Sequence, residues 1–303
     1  MESQGELSLD RMCGLTQISR ASWYRQCEEH ASRELDQELR DLIQRTALQH
    51  RHYGYRKVTR SLHRQGRPVN AKKVLRLMQE DNLLAQRKRK FVATTDSEHD
   101  FLVYPNLAKN LVLRDVNQLW VADITYVRLQ EEFVYLAVVL DAYSRRVIGW
   151  ALDRSLEARL ALAALEGAIA ARHPRPGLVH HSDRGMQYAS NVYVKRLEGL
   201  GATLSMSRAG RPWENGKCER FMRTLKQEEL DARPYRNLEE LQHNVEEFIE
   251  TIYNRERLHA ALDYLSPVEF EEQQAKRPES ERWIPAGLSL RRHEEIYPDA
   301  SGD

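Results

Sequence analysis

Three acidic residues stand where chemistry could be done: Asp123, Asp183 and Glu219. Asp123 lies inside the run "LWVADITYVRL" (119–129), between "WVA" and "ITYV", so the segment reads as a strand that is apolar on both faces and central in its sheet. A carboxylate there is costly, and without a hydrogen-bonded or cationic partner it takes up a proton. An ordinary ion pair with Arg145 or Arg146 is the competing explanation. Asp183 ends another apolar run, "GLVHHSD", where a strand passes into a loop opening with Arg184 and Gly185, the usual place for a functional side chain on a rigid sheet. His180 and His181 alternate sides of that strand, so at most one faces a site, and hydrogen-bonded strand histidines are expected rather than metal ligands.

Glu219 belongs to the helix "ENGKCERFMRTLKQEEL" (214–230). With Glu219 at zero, winding at about 100° per residue puts Arg223 near about +40° and Lys226 near about −20°, while Cys218, Phe221 and Leu225 gather between about −100° and −160°. One face packs, and another presents an acid flanked by two cations. A surface ion pair with Arg223 would explain this too, at a few tenths of a kcal/mol. On the functional reading, Glu219 holds a metal and the cations hold incoming phosphates. Carboxylates from a strand centre, a strand end and a facing helix suit two Mg²⁺ ions, with Mn²⁺ a possible substitute. Such ions prefer oxygen ligands and act on the attacking and leaving oxygens of a phosphodiester.

The elements that must position these acids follow from the pattern of the chain. "LWVADITYVRL", "FVYLAVVLDA" (133–142) and "RRVIGWAL" (145–152) are β-rich runs joined by turns too short for crossover helices, so an antiparallel meander is expected. An alanine-rich helix (156–172) stops before Pro174. A strand at "GLVHHSD", a helix near 191–201, a short strand at 202–207 and a helix from about Glu214 follow. This order is that of a ribonuclease H-like α/β core, a mixed five-stranded sheet with flanking helices. Downstream, Asn237 and Glu240 resemble a capping box, and Leu238, Leu241, Val245, Phe248, Ile249 and Ile252 line one face of a long helix.

Charge divides the chain. Residues 1–95 hold 19 Lys+Arg against 11 Asp+Glu, and residues 96–303 hold 27 against 34. A basic end suits a polyanion partner, because phosphates are bound by Lys and Arg with release of counterions. That end reads as all-α. "LTQISRASWYRQ" (15–26) outlines two short helices with Ser19 or Ser22 as caps, and a long polar helix runs to about residue 49. Tyr55 to Leu84 reads as a helix-turn-helix. Gly66 ends its first helix and Asn70 caps "AKKVLRLMQEDNLL", where Val74, Leu77 and Met78 form the apolar stripe. Lys72, Lys73 and Arg76 face elsewhere and are the candidate DNA contacts, backed by the basic run "QRKRK" (86–90). The expected division is a helical region (1–50), a helix-turn-helix domain (51–95), a linker (96–116), the catalytic core (117–277) and a tail (278–303) in which Trp283 matches nothing. Cys13, Cys27 and Cys218 are scattered and odd in number, so reduced, structural cysteines are expected. No apolar run approaches the length of a membrane span, and a cytoplasmic protein is expected.

Residues 184–218, 35 positions, lie between the second and third acids. With the segments "WVADITYV", "LDAYSRRVIGW", "HHSDRGMQY", "ENGKCERFMRTLK" and "YNRERLHAALDYLSPVEF", the chain over roughly residues 50–270 resembles the DDE transposase and retroviral integrase superfamily. The likeness is to the second-frame protein (OrfB) of insertion sequences of the IS-three type. The resemblance implies that Asp123, Asp183 and Glu219 are the catalytic and metal-binding acids and that Lys226 contacts DNA nearby, and the helix winding adds Arg223 as a candidate DNA contact. It implies a Mg²⁺-dependent transposase: water cuts the element end to free a 3′ hydroxyl, which then attacks a second phosphodiester. Its partners would be double-stranded DNA (the terminal inverted repeats and a target), further copies of the chain, and a first-frame protein supplied separately or by a frameshift fusion. It would be found with the bacterial nucleoid when bound to DNA. Where the family often has Asp-Asn-Ala this chain has Glu214, Asn215 and Gly216, and Arg220 stands where a serine is common. No zinc module is written around His50 and His52. A DNA-binding regulator with an unused catalytic fold, and a nuclease that cuts without joining, are the competing functions.

Overall fold

Two units divide the chain, residues 1–90 and 91–303. The computed structural model describes residues 9–24, 36–84, 103–109, 111–208 and 210–277. Cys27, the basic run at 86–90 and the tail at 278–303 lie outside the described residues.

The first unit is helical. After α1 (Leu9–Thr16), the Ser19 hydroxyl accepts from the Ser22 amide at 3.2 Å, so Ser19 is the cap at that turn. α2 (Gln37–Gln49), α3 (Tyr55–Arg64) and α4 (Ala71–Glu80) pack together. Gly66 ends the α3 turn with φ of +76°, a left-handed conformation that costs glycine nothing, and the Arg67 amide donates back to the Leu62 carbonyl at 3.0 Å. The Asn70 side chain caps α4 by accepting from the Lys72 amide at 2.8 Å. Val74, Leu77 and Met78 are buried with Ile43, Val58 and Leu62, the stripe the sequence marks as apolar.

The second unit is built on a five-stranded sheet of order β3-β2-β1-β4-β5. β1 (Leu119–Arg128), β2 (Phe133–Asp141) and β3 (Val147–Asp153) form the antiparallel meander. β4 (Val179–Ser182) then runs parallel to β1, and β5 (Thr203–Met206) parallel to β4. β1 is therefore central, as its two apolar faces require. Between β3 and β4 lies α5 (Ala158–Arg172), and between β4 and β5 lie the short α6 (Met186–Ala189) and α7 (Asn191–Gly199). α8 (Gly216–Leu225) follows a 3₁₀ turn, and α9 is Leu238–Glu246. This is the ribonuclease H-like architecture with a helical, helix-turn-helix region ahead of it.

Each sheet face has its own core. Val121, Val138 and Val147 pack with Cys218, Phe221, Leu225, Leu241, Val245, Phe248 and Ile249 on one side. Trp120, Ala122 and Val139 pack with the α5 alanines, Tyr188, Tyr193 and Leu197 on the other. The Asp141 carboxylate, fully buried, shapes the turn after β2 by accepting from the amides of Asn117 (2.6 Å), Tyr143 (2.9 Å) and Ser144 (3.1 Å). Arg145 lies in that turn at φ of +62°, so β3 begins two residues later than the sequence suggests.

The two long helices differ from expectation. α8 continues into a wider π-type turn at Lys226–Leu230, and α9 continues into one at Glu247–Glu256. Asn237 caps α9 by accepting from the Glu240 amide at 2.8 Å. Glu240, however, reaches the Arg236 amide (2.9 Å) rather than closing a box with Asn237. The complete capping box belongs to α10 (Pro267–Ala275), between Ser266 and Glu269.

Candidate active site

Asp123 sits two residues after Val121 in β1 and opposite Val138 in the β1/β2 register. Both valines belong to the core layer shared with α8, so the pleat turns Asp123 to the α8 side. Its Oδ1 accepts from the Ile124 amide at 3.0 Å. The ordinary ion pair does not form: Arg146 binds Glu271 at 2.8 Å, and the cation whose charge bears on Asp123 is Lys226. Burial first, and then the negative charge of Asp183, push the Asp123 carboxyl up to about 8, with Glu219 adding to the effect and Lys226 opposing it. The charges of Asp183 and Glu219, the other two acids that the sequence singles out, therefore bear on Asp123.

Asp183 lies one residue beyond β4, and its Oδ1 accepts from the Gly185 amide at 2.9 Å. A Cβ on Gly185 would stand 3.0 Å from that oxygen, so glycine lets the loop fold over the carboxylate. Glu219 is in the first turn of α8, with Arg223 one turn on at 3.4 Å. Lys226 is partly buried, its Nζ 4.9 Å from the Tyr126 ring centroid. Burial pulls its ammonium pKa down, and Asp123 opposes the change. Among the described residues no three His, Cys, Asp or Glu side chains come close enough to share one ion. The acids are thus in Coulombic reach without being closed into a ligand cluster.

Neither histidine of β4 is a spare ligand. His180 shares a hydrogen bond with the Tyr193 hydroxyl at 3.0 Å, and His181 is held between the Ser205 (2.8 Å) and Ser207 (3.0 Å) hydroxyls. Burial brings His180 down to about 3 and His181 to about 4. Both are neutral, hydrogen-bonded strand residues. Cys218 is fully buried in the core and Cys13 is buried as well.

Sequence reasoning missed two side chains beside the acids. Asn215, 6% exposed, donates from Nδ2 to the Ala122 carbonyl at 2.9 Å, and its Oδ1 has no hydrogen-bond partner among the described residues. The Tyr188 hydroxyl is likewise buried without one. Their only sequence signal was position, four residues before Glu219 and five after Asp183. Glu214, beside Asn215, is a clamp: it accepts from Asn106 Nδ2, the Arg208 amide and Arg208 Nε, each at 2.8 Å, and the Arg208 guanidinium holds its carboxyl down to about 2.

On α4, Lys72 is exposed. Lys73 (2.5 Å) and Arg76 (3.2 Å) instead bind Asp36, whose side chain is only 4% exposed, and Arg76 also pairs with Glu80. Two of the three candidate DNA contacts thus have a partner inside the unit. No helix among the described residues is long and apolar enough to cross a membrane.

Comparison with known proteins bears on both units. An HTH-like domain family matches residues 34–91, and two integrase core domain families match residues 114–212 and 200–267. The chain is 36% identical to the uncharacterized 31 kDa protein of insertion element IS600 from Shigella sonnei, over 86% of this chain and 97% of that one. It is 34% identical to the transposase InsF of insertion sequence IS3A from Escherichia coli K12, over 88% of this chain and 95% of that one. Among solved structures it resembles the simian T-cell lymphotropic virus intasome bound to PP2A regulatory subunit B56 gamma, at 15% identity and a TM-score of 0.45, covering 80% of this chain and 77% of that one.

Proposed function

The chain belongs to the IS3-family insertion-sequence transposases, DNA-binding polynucleotidyl transferases with an integrase core, and from that premise we propose that Asp123, Asp183 and Glu219 are its reaction centre. What supports this reading is the placement of three carboxylates on a central strand, just past a strand end and in a facing helix, with the charges of Asp183 and Glu219 bearing on the buried Asp123. Nothing in a merely structural role calls for that cost, which a cation would relieve.

The chemistry of the donors, rather than a closed cluster of them, fits a divalent ion. The donors are carboxylate oxygens, the preferred ligands of Mg²⁺ and Mn²⁺, and two buried polar atoms nearby, Asn215 Oδ1 and the Tyr188 hydroxyl, would be satisfied by an ion and its waters. When bound, such ions activate the attacking oxygen and stabilise the leaving one. The chain's own part is placement. Asn215 ties the start of α8 to β1, Gly185 seats Asp183, and Lys226 with Arg223 offers positive charge to a phosphodiester beside Glu219. In the first reaction water attacks the phosphorus at an element end, and the 3′ oxygen of the element's terminal nucleotide leaves as a hydroxyl while the phosphate stays on the flanking strand. In the second, that hydroxyl attacks another phosphodiester and displaces its 3′ oxygen. Holding two ends together calls for more than one copy of the chain, and the first-frame protein or a frameshift fusion is the natural partner.

The test is incubation with Mg²⁺ and labelled DNA carrying terminal inverted repeats, comparing the protein with Asp183→Asn. Metal-dependent joined products that vanish in the variant are expected. Unjoined nicks alone would make the protein a nuclease, and tight binding without any product would make it a regulator.

A further inference from the structure

Folded proteins rarely leave a buried polar atom without a partner, and each exception calls for a cause. The Tyr188 hydroxyl is one. Tyr188 is 2% exposed, and its ring is fixed edge-on to Tyr193 at 5.4 Å while its amide donates to the Gly185 carbonyl at 3.0 Å. Gly185 lies between its ring and Asp183: a Cβ there would stand 3.0 Å from Asp183 Oδ1 and 3.6 Å from Tyr188 Cδ2. The second exception in this neighbourhood, Asn215 Oδ1, comes from a different element, and its amide nitrogen is bonded to the residue just before Asp123. Two independent segments, one next to Asp183 and one bonded to the residue before Asp123, thus each carry an unsatisfied buried polar atom, one an acceptor and the other able to donate.

Packing alone does not account for the hydroxyl. Phenylalanine would fill the same space without burying an oxygen. Burial pushes the Tyr188 phenol well above its usual range, and the charges of Asp123 and Asp183 push it in the same direction. The group therefore keeps its proton, and what it offers is a hydrogen-bond donor within electrostatic reach of two carboxylates.

Resting on the divalent-cation reading of the site, we infer that Tyr188 is a positioning residue for that cation, its hydroxyl donating a hydrogen bond into the shell of carboxylates and waters around the ion. Groups of this kind orient the ligands of a metal, and their loss typically weakens binding by about 10- to 100-fold.

Tyr188→Phe removes the oxygen and nothing else. Mn²⁺ affinity, read from the electron paramagnetic resonance signal of the free ion, and the thermal midpoint without metal should be measured for the whole chain, the Tyr188→Phe variant and Asp183→Asn. The expected result is a metal-free midpoint equal to or above that of the unaltered protein, with Mn²⁺ affinity reduced about tenfold or more. Unchanged affinity in Tyr188→Phe, while Asp183→Asn loses binding, overturns the role of Tyr188 and leaves the cation site standing. A lowered metal-free midpoint also overturns it, because the hydroxyl would then have a structural partner. Equal Mn²⁺ binding by the unaltered protein and Asp183→Asn removes the cation site itself, and this inference with it.

Discussion

The Asn215 side-chain amide donates to the main-chain carbonyl of Ala122 across 2.9 Å, joining the residue ahead of α8 to the strand residue ahead of Asp123. Glu219 lies one turn further along α8, so this bond sets how the helix acid meets the strand acid. Asn215→Ala should lower unfolding stability by about 1–2 kcal/mol, the usual cost of leaving a buried partner unpaired. Strand joining should fall further than that loss explains, by roughly 100-fold, because small displacements of reacting groups are expensive. Urea unfolding and single-turnover joining on the same preparation check this. Joining at the unaltered rate would mean that Glu219 is placed without Asn215.

Lys72 and Lys73 are neighbours on α4 in different surroundings, Lys72 exposed and Lys73 paired with Asp36. Lys73 and Arg76 neutralise Asp36, so Lys73→Ala should cost about 1–3 kcal/mol of stability by weakening the pairing of a nearly buried carboxylate. Lys72→Ala should leave stability unchanged and make the log-log salt dependence of DNA binding shallower by roughly 0.9, the contribution of one phosphate contact. A salt titration of both variants separates the roles. A slope untouched by Lys72→Ala would remove α4 from the DNA interface.

That division marks where the sequence was legible and where it was not. Alternation, turn length and the caps at Asn70 and Asn237 are local properties, so the meander, the central β1 and the helical hairpin could be read directly. Asp123 and Asp183 were conspicuous because one interrupts and the other follows an apolar strand, and Glu219 because two cations flank it on its helix. The partner of Lys73 is 37 residues away in a polar stretch, where nothing local distinguishes a buried Asp36 from an exposed one. Tyr188 and Asn215 were hidden for the same reason: a tyrosine and an asparagine in short helical turns are ordinary until the fold buries their polar atoms without partners. The π-type turn at Lys226–Leu230 is likewise not marked by its polar sequence "KQEEL".

His180 makes the stability of the second unit depend on pH. Its folded pKa is about 3, against about 6.5 in an unfolded chain, because burial disfavours its charged form. Below pH 6.5 the unfolded chain takes the proton and the fold does not. The contribution is therefore complete above pH 6.5 and is lost as pH falls toward 3. Between pH 7 and pH 5 this amounts to about 2 kcal/mol. His180→Asn should flatten the fall in unfolding free energy over that interval by a similar amount, whatever it does to stability at pH 7. An identical pH slope in the variant would show that another group carries it.

Gly149 and Gly167 provide a paired test of how closely α5 lies on the sheet. A Cβ on Gly149 of β3 would come within 2.2 Å of the Ala164 carbonyl oxygen and 2.6 Å of the Ala168 amide nitrogen, both main-chain atoms that no rotamer change moves aside. Gly149→Ala should therefore force the helix off the strand and cost about 3 kcal/mol or more. A Cβ on Gly167, inside α5, meets only the Gly149 Cα at 3.8 Å, an ordinary contact. Gly167→Ala should stabilise the protein by about 0.5–1 kcal/mol through helix propensity. Opposite signs in thermal unfolding are the expected outcome. The same sign for both would mean that the helix and sheet are not in main-chain contact here. Because β3, β2 and β1 are consecutive in the sheet, the Gly149 variant should also loosen the strand that carries Asp123, which slower exchange of its backbone amides in the Gly167 variant would corroborate from the other side.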